Sequence, residues 1–227
     1  MTIADSVWDP LPSQHYPNEA ERRADLWVHI IGLAAALIGG GVLFTASLQA
    51  GGMGQAAAIG LYALCVVAML VCSSAYNLTK PSRLRPLFLR LDQSAIFLLI
   101  AGSYTPFTTQ RLEGGWAVGM TALIWAMALA GVAGKLLLPR LSEKFWVGCY
   151  IAISWVALIA LKPLIDNTHW FAMLLLVGGG LIYMAGVPLF LHPRCPYRRA
   201  VWHGFVVAAA ATHQAAVWTG VVLAPVA

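Results

Sequence analysis

Few side chains in this 227-residue chain could do chemistry, and most of them gather at a few places in the sequence. Ser73, Ser74 and Asn77 close one long apolar run, Asp92 opens the next, and Arg199, Trp202 and His203 open the last. Glu21, Asp25 and His29 recur at four-residue spacing before and within the first run, so they share one helix face. A hydroxyl, carboxylates and imidazoles brought together could transfer protons or hold a metal ion. Each also has a plainer use. Asp92 would be favoured by the dipole of a helix start and could pair with Arg90 or Arg83. Ser73 and Ser74 could bond back to their own helix carbonyls. Glu21 and Asp25 could form a solvated face, and His29 and His203 could hydrogen-bond between helices. His213 is expected to bond a neighbouring helix, and His15, His169 and His192 read as tail or loop residues.

The elements that must position these groups are membrane spans. Apolar residues make up 60% of the chain and charged residues only 10%, against about 25% charged in a soluble domain. That balance excludes soluble, disordered and disulfide-scaffold classes. The net charge of +5 has no water-facing domain to display it, so no nucleic-acid partner is expected. Cys65, Cys72, Cys149 and Cys195 show no ligand spacing and read as free thiols.

About 20 apolar residues cross a bilayer as a helix. Seven stretches qualify: 27–48, 55–76, 91–109, 116–134, 145–161, 169–191 and 200–224. Connectors carry breakers: Gly51, Gly52 and Gly54; Pro81 and Pro86; Gly114 and Gly115; Pro139; Pro163; Pro193 and Pro196. Asn18 with Glu21 three residues on marks a helix start. The fold class is therefore all-α, a seven-transmembrane helix bundle. A polar tail with a short interfacial helix is expected over 1–24, and the transmembrane domain over 25–227. No cleavable signal is expected before the first span. Twelve of the fourteen Lys and Arg residues fall on one side of this arrangement, leaving Arg111 and Lys162 on the other. The basic side marks the cytoplasm, with the N-terminus inside and the C-terminus outside. All the polar groups above except His213 and the loop histidines then lie at the cytoplasmic boundary.

Several segments at these positions resemble the hemolysin III family, the bacterial branch of the adiponectin and progestin receptor group. They are Ser73-Ser74-Ala75-Tyr76-Asn77, Leu91-Asp92-Gln93-Ser94, and the stretch from Ile100 through Tyr104-Thr105-Pro106 to Phe107. Trp202-His203-Gly204-Phe205-Val206 with His213 and the opening Glu21-x3-Asp25-x3-His29-x2-Gly32 complete the likeness. The resemblance implies a zinc site made by three histidines with a serine and an aspartate. Ser73 and Asp92 match the serine and aspartate, as candidate catalytic residues, and His203 matches one histidine as a metal ligand. Asn77 and Arg199 stand where the other two histidines belong. An amide oxygen is a poor zinc ligand and a guanidinium offers no lone pair, so zinc is not expected unless other residues rescue the site. Arg199 could then pair with Asp92 in place of the metal charge, or snorkel to headgroups beside Arg194 and Arg198.

The function expected is a metal-free or non-catalytic protein of membrane lipid sensing or homeostasis, multi-pass in the bacterial inner membrane, with lipids as partners. The alternative is a zinc-dependent intramembrane hydrolase of lipid amides or esters; a cytolytic role ranks third, because no polar stripe lines a span. A retinal protein is excluded by the absence of lysine in 200–224. A proton-coupled transporter would want carboxylates near the midplane, and none is there.

Overall fold

A computed structural model describes residues 15–80, 82–138, 141–192 and 194–224. The tail before residue 15 and the breakers Pro81, Pro139 and Pro193 lie outside the described residues. Seven helical spans follow one another. They are α1 (Glu19–Ala50), α2 (Gly52–Leu78), α3 (Arg85–Gln110), α4 (Gly114–Leu137), the pair α5 (Glu143–Ser154) and α6 (Leu161–Asn167), α7 (Trp170–Leu191) and α8 (Arg198–Val217). The outer surface is rich in exposed Leu, Ile, Val and Trp, such as Ile38, Leu64, Val118 and Leu174. An apolar exterior of this kind is what lipid contact permits and water would penalise. The protein is a multi-pass membrane protein.

Asn18 caps α1, its side-chain oxygen accepting the Glu21 N–H at 2.9 Å. The start read from Asn18 is thus the start of α1 itself, which continues unbroken through the first span. The buried face of α1 is narrow and regular: Asp25, His29, Gly32, Ala36, Gly40, Leu43 and Ser47. Its steps of three and four residues match one helical stripe. Small residues along it allow close approach to α2 and α8. The chain then reverses at Gly51 and Gly52, where a φ of +72° at Gly52 suits glycine.

The fifth span departs from a single helix. It runs as α5, a 3-10 segment Val156–Ala160, and α6. Pro163, expected to follow this span, lies in the first turn of α6, where its missing N–H leaves no bond unmade. The Tyr104 hydroxyl ties the break to α3, donating to the Ser154 carbonyl at 2.7 Å and accepting the Ala157 N–H at 2.9 Å.

α2 carries the most buried span, with Ile59, Tyr62, Val66, Met69 and Leu70 in the core. It packs between α1 and α3, while α8 packs on α1 and α7. This order brings the start of α1, the end of α2, and the starts of α3 and α8 to one end of the bundle. Helix direction alone therefore assembles the polar groups.

Candidate functional site

The site is built around one carboxylate from α1. Asp25 is fully buried, and its carboxylate accepts two hydrogen bonds. His203 Nδ1 on α8 donates to Oδ1 at 2.6 Å, and the Tyr16 hydroxyl donates to Oδ2 at 2.5 Å. One turn further along α1, His29 Nδ1 donates to the Asp25 backbone carbonyl at 2.8 Å. A carbonyl accepts and cannot donate, so this bond fixes the His29 proton on Nδ1 and leaves Nε2 as an acceptor. The carboxylate does the same for a neutral His203.

Both free nitrogens then face one hydroxyl. Ser73 Oγ on α2 lies 3.1 Å from His29 Nε2 and 3.3 Å from His203 Nε2. The two imidazoles meet edge to face, with centroids 4.5 Å apart. Asn77, one turn beyond Ser73, donates from Nδ2 to the Ser73 carbonyl at 3.0 Å and to Oγ at 3.3 Å. Its Oδ1 accepts from Arg199 Nη1 at 3.1 Å and from His15 Nε2 at 3.0 Å. Every member of the network except Tyr16, Arg199 and His15 is buried.

Residues 15 and 16 cover this end of the network. His15 meets Tyr16 and Tyr76 edge to face, and the Arg199 guanidinium stands 5.9 Å from the Tyr16 ring centre. Burial, with the Arg199 charge beside it, holds His15 neutral by lowering its pKa to about 3. Burial and the bond to Asp25 push the Tyr16 hydroxyl well above the usual phenol range. Tyr197, which precedes α8, adopts a left-handed φ of 53°, an uncommon conformation for a tyrosine. It sets the first turn of α8, from which Arg199 reaches inward.

Of the residues singled out from sequence, Ser73, Asn77, Arg199 and His203 meet in one network. Asp92 faces it from α3, where its charge is felt with those of His203, Arg199 and Asp25, and Ser73 stands beside it. Arg199 does point into this space, yet its hydrogen bond goes to Asn77; among the described residues no Asp92–Arg199 ion pair within 4.0 Å is formed. Ser74 bonds back to the Leu70 carbonyl at 2.7 Å, the plain role.

Two readings change. Asp25 is not part of a solvated face but the most buried member of the site. His15 is not a free tail residue but a partner of Asn77. The stripe Asp25-His29-Gly32-Ala36, whose upper half is made of small residues, was the signal that Asp25 faces inward. For His15 and Tyr16 the sequence holds no comparable periodicity.

Asp25, His29 and His203 lie close enough together to hold a metal ion. The bonds above test the fit. Two ligands on one tetrahedral zinc, each about 2.0–2.1 Å away, stand about 3.3 Å apart, whereas Asp25 Oδ1 and His203 Nδ1 are 2.6 Å apart. That is a hydrogen-bond separation. His29 Nδ1 is likewise committed to a carbonyl, so the nitrogens that keep a lone pair for a metal are His29 Nε2 and His203 Nε2, two imidazole ligands where the family site has three. The three-histidine site implied by the family does not fit either, since Asn77 and Arg199 are bonded to each other in the places of two ligands.

Together, the seven spans and the buried polar network at one end define an integral membrane protein with an intramembrane polar site. The model for haemolysin-III related proteins matches residues 18–214. The chain belongs to the hemolysin III family. It is 40% identical to Hemolysin-3 of Bacillus cereus over 131 residues, 57% of this chain and 59% of that protein. It is 32% identical to a Hemolysin-3 homolog of Bacillus subtilis over 121 residues, 53% and 57% of the two chains. These matches thus span little more than half the length of the bacterial relatives. A longer match, 27% identity covering 92% of this chain and 88% of the relative, is to the human monocyte to macrophage differentiation factor.

Proposed function

We propose that this chain is a metal-free member of its family that senses or adjusts membrane lipid composition from the polar end of the bundle. The observation that carries the reading is the hydrogen bond from Arg199 Nη1 to Asn77 Oδ1. It fills two expected ligand positions with a permanent cation and an amide whose oxygen is already shared with His15. A second cation in this space would be repelled. The zinc-dependent hydrolase is supported by the closeness of Asp25, His29 and His203 and by the two free histidine Nε2 atoms, which fall one short of the three histidines the family site uses.

Lipid as the partner is supported by Arg85, near the same end. It is buried, its guanidinium stands 5.3 Å from the Tyr76 ring centre, and Nη1 and Nη2 have no hydrogen-bond partner among the described residues. A buried cation without an acceptor calls for an anion, and phospholipid phosphate is the anion a membrane offers. The asymmetry of Lys and Arg supports the cytoplasmic membrane, with this end on the inner side.

Mass spectrometry of lipids retained by detergent-purified protein tests the reading. Anionic phospholipid is expected on the wild type and about tenfold less on Arg85→Gln, equal to about 1.4 kcal/mol of binding. Equal retention by both proteins would remove the anionic-lipid reading.

A further inference from the structure

Within the network, Ser73 Oγ, His203 Nε2, His203 Nδ1 and Asp25 Oδ1 form a continuous line of 3.3 Å and 2.6 Å contacts. From these contacts we infer that Ser73, His203 and Asp25 form a metal-independent acyl-transfer triad acting on a lipid carboxylic ester. The inference rests on the lipid reading above for its substrate class alone.

Each part has a role set by geometry. Ser73 is the nucleophile, because its oxygen is the hydroxyl on which both imidazoles converge. His203 is the general base rather than His29, because an Asp25 carboxylate oxygen accepts from its Nδ1 at 2.6 Å, whereas His29 Nδ1 donates to a backbone carbonyl and stands 3.7 Å from Asp25 Oδ2. A carboxylate stabilises the imidazolium that forms, and holds the tautomer that leaves Nε2 free. Asp25 is a positioning residue, itself held by Tyr16. Asn77 Nδ2 donates to Ser73 Oγ at 3.3 Å and to the Ser73 carbonyl at 3.0 Å, and Arg199 holds Asn77 through its Oδ1, so the two fix the position of the hydroxyl.

The chemistry balances without an ion or redox partner. Ser73 Oγ bonds to the ester carbonyl carbon as its proton passes to His203 Nε2. The bond from that carbon to the alcohol oxygen breaks, and the alcohol leaves with the proton. Water then attacks the acyl-Ser73 ester, gives a proton to His203, and releases the carboxylic acid as Ser73 recovers its hydrogen. The cavity one turn deeper, beside Gly32, Leu70 and Val207, has a volume of about 10 Å³, room for about one water. An acyl chain does not fit there, and the entry inferred for substrate is the end that the part-buried His15 and Tyr16 cover.

The test uses the full-length protein reconstituted in phosphatidylglycerol vesicles and an alkyl fluorophosphonate, which traps activated serines. Peptide mass spectrometry is expected to find the phosphonyl group on Ser73, with the rate unchanged by a zinc chelator. Labelling should fall at least about 100-fold in His203→Gln and shift its pH dependence in Asp25→Asn. Ser74→Ala, which alters only a bond back to α2, should label like wild type and serves as the folding control. Label on another residue, equal labelling of His203→Gln, abolition by chelator, or no label on folded protein each overturns the triad. Fatty-acid release from the vesicles is expected alongside. Labelled Ser73 without that release overturns the lipid-ester assignment while the triad stands, and a zinc-free, lipid-retaining protein that takes no label overturns the triad alone.

Discussion

His203 Nδ1 donates to Asp25 Oδ1 across 2.6 Å, joining the last span to the first through two buried side chains. Residues 178 apart in sequence thereby share one charge-assisted hydrogen bond, a class about twice as strong as neutral ones. Neither partner has water to turn to if the other is removed. This bond therefore contributes to bundle closure.

Asp25→Ala should destabilise the protein by about 3–5 kcal/mol, because it strips a buried acceptor from His203 and Tyr16 together. His203→Ala should cost a comparable amount. The double variant should cost about 1–3 kcal/mol less than the sum, since the second change removes a group the first has already orphaned. Equilibrium unfolding in mixed micelles measures all three, and strict additivity would show that the bond is energetically idle.

The cover over the site should open in acid. His15 is held neutral with a pKa near 3 by burial and by Arg199, with Arg85 adding to the depression and Asp25 and the Asn77 bond opposing it. An exposed histidine titrates near 6.5. Protons thus favour the open segment: the contribution of the closed form is complete above about pH 6.5 and declines as pH falls toward about 3. Hydrogen exchange at the Tyr16 and Asn18 amides should quicken below about pH 6.5 in the wild type and lose that dependence in His15→Gln.

Packing in the membrane leaves no room at Gly179. A Cβ there would stand 2.3 Å from His213 Cδ2 and 3.3 Å from the Ala209 carbonyl oxygen. Gly179 lets α7 approach α8 while His213 Nε2 bonds the Leu176 carbonyl at 3.2 Å. Gly179→Ala should cost about 1–3 kcal/mol and lower the unfolding temperature. Gly178→Ala, whose Cβ meets nothing within 4 Å, should leave it unchanged.

The seven spans were legible because lipid imposes a length and a composition on each, and breakers at the connectors set the order. The fifth was the least legible: hydropathy reports what faces lipid, not the change from α to 3-10 winding after Ser154 that Tyr104 fixes from another helix. Ser73, His203, Asn77 and Arg199 could be brought together from span direction alone. Asp25 was visible as a helix-face neighbour of His29, but nothing local distinguishes a buried carboxylate from a solvated one near a helix start. Its burial depends on a tyrosine outside the span and on a histidine 178 residues away. His15 and Tyr16 belong to a segment without periodicity, so only the folded chain reveals that they cover the site.

Metal content tests the central claim most directly. Elemental analysis of zinc should compare wild type, His203→Ala and the double variant Asn77→His/Arg199→His, which restores the histidine positions implied by the family. Zinc far below one per chain is expected in the first two proteins, and about one per chain in the double variant, where three imidazoles meet the needs of a tetrahedral ion. Stoichiometric zinc in the wild type that disappears in His203→Ala would contradict the hydrogen-bonded, metal-free site and make the ion its centre.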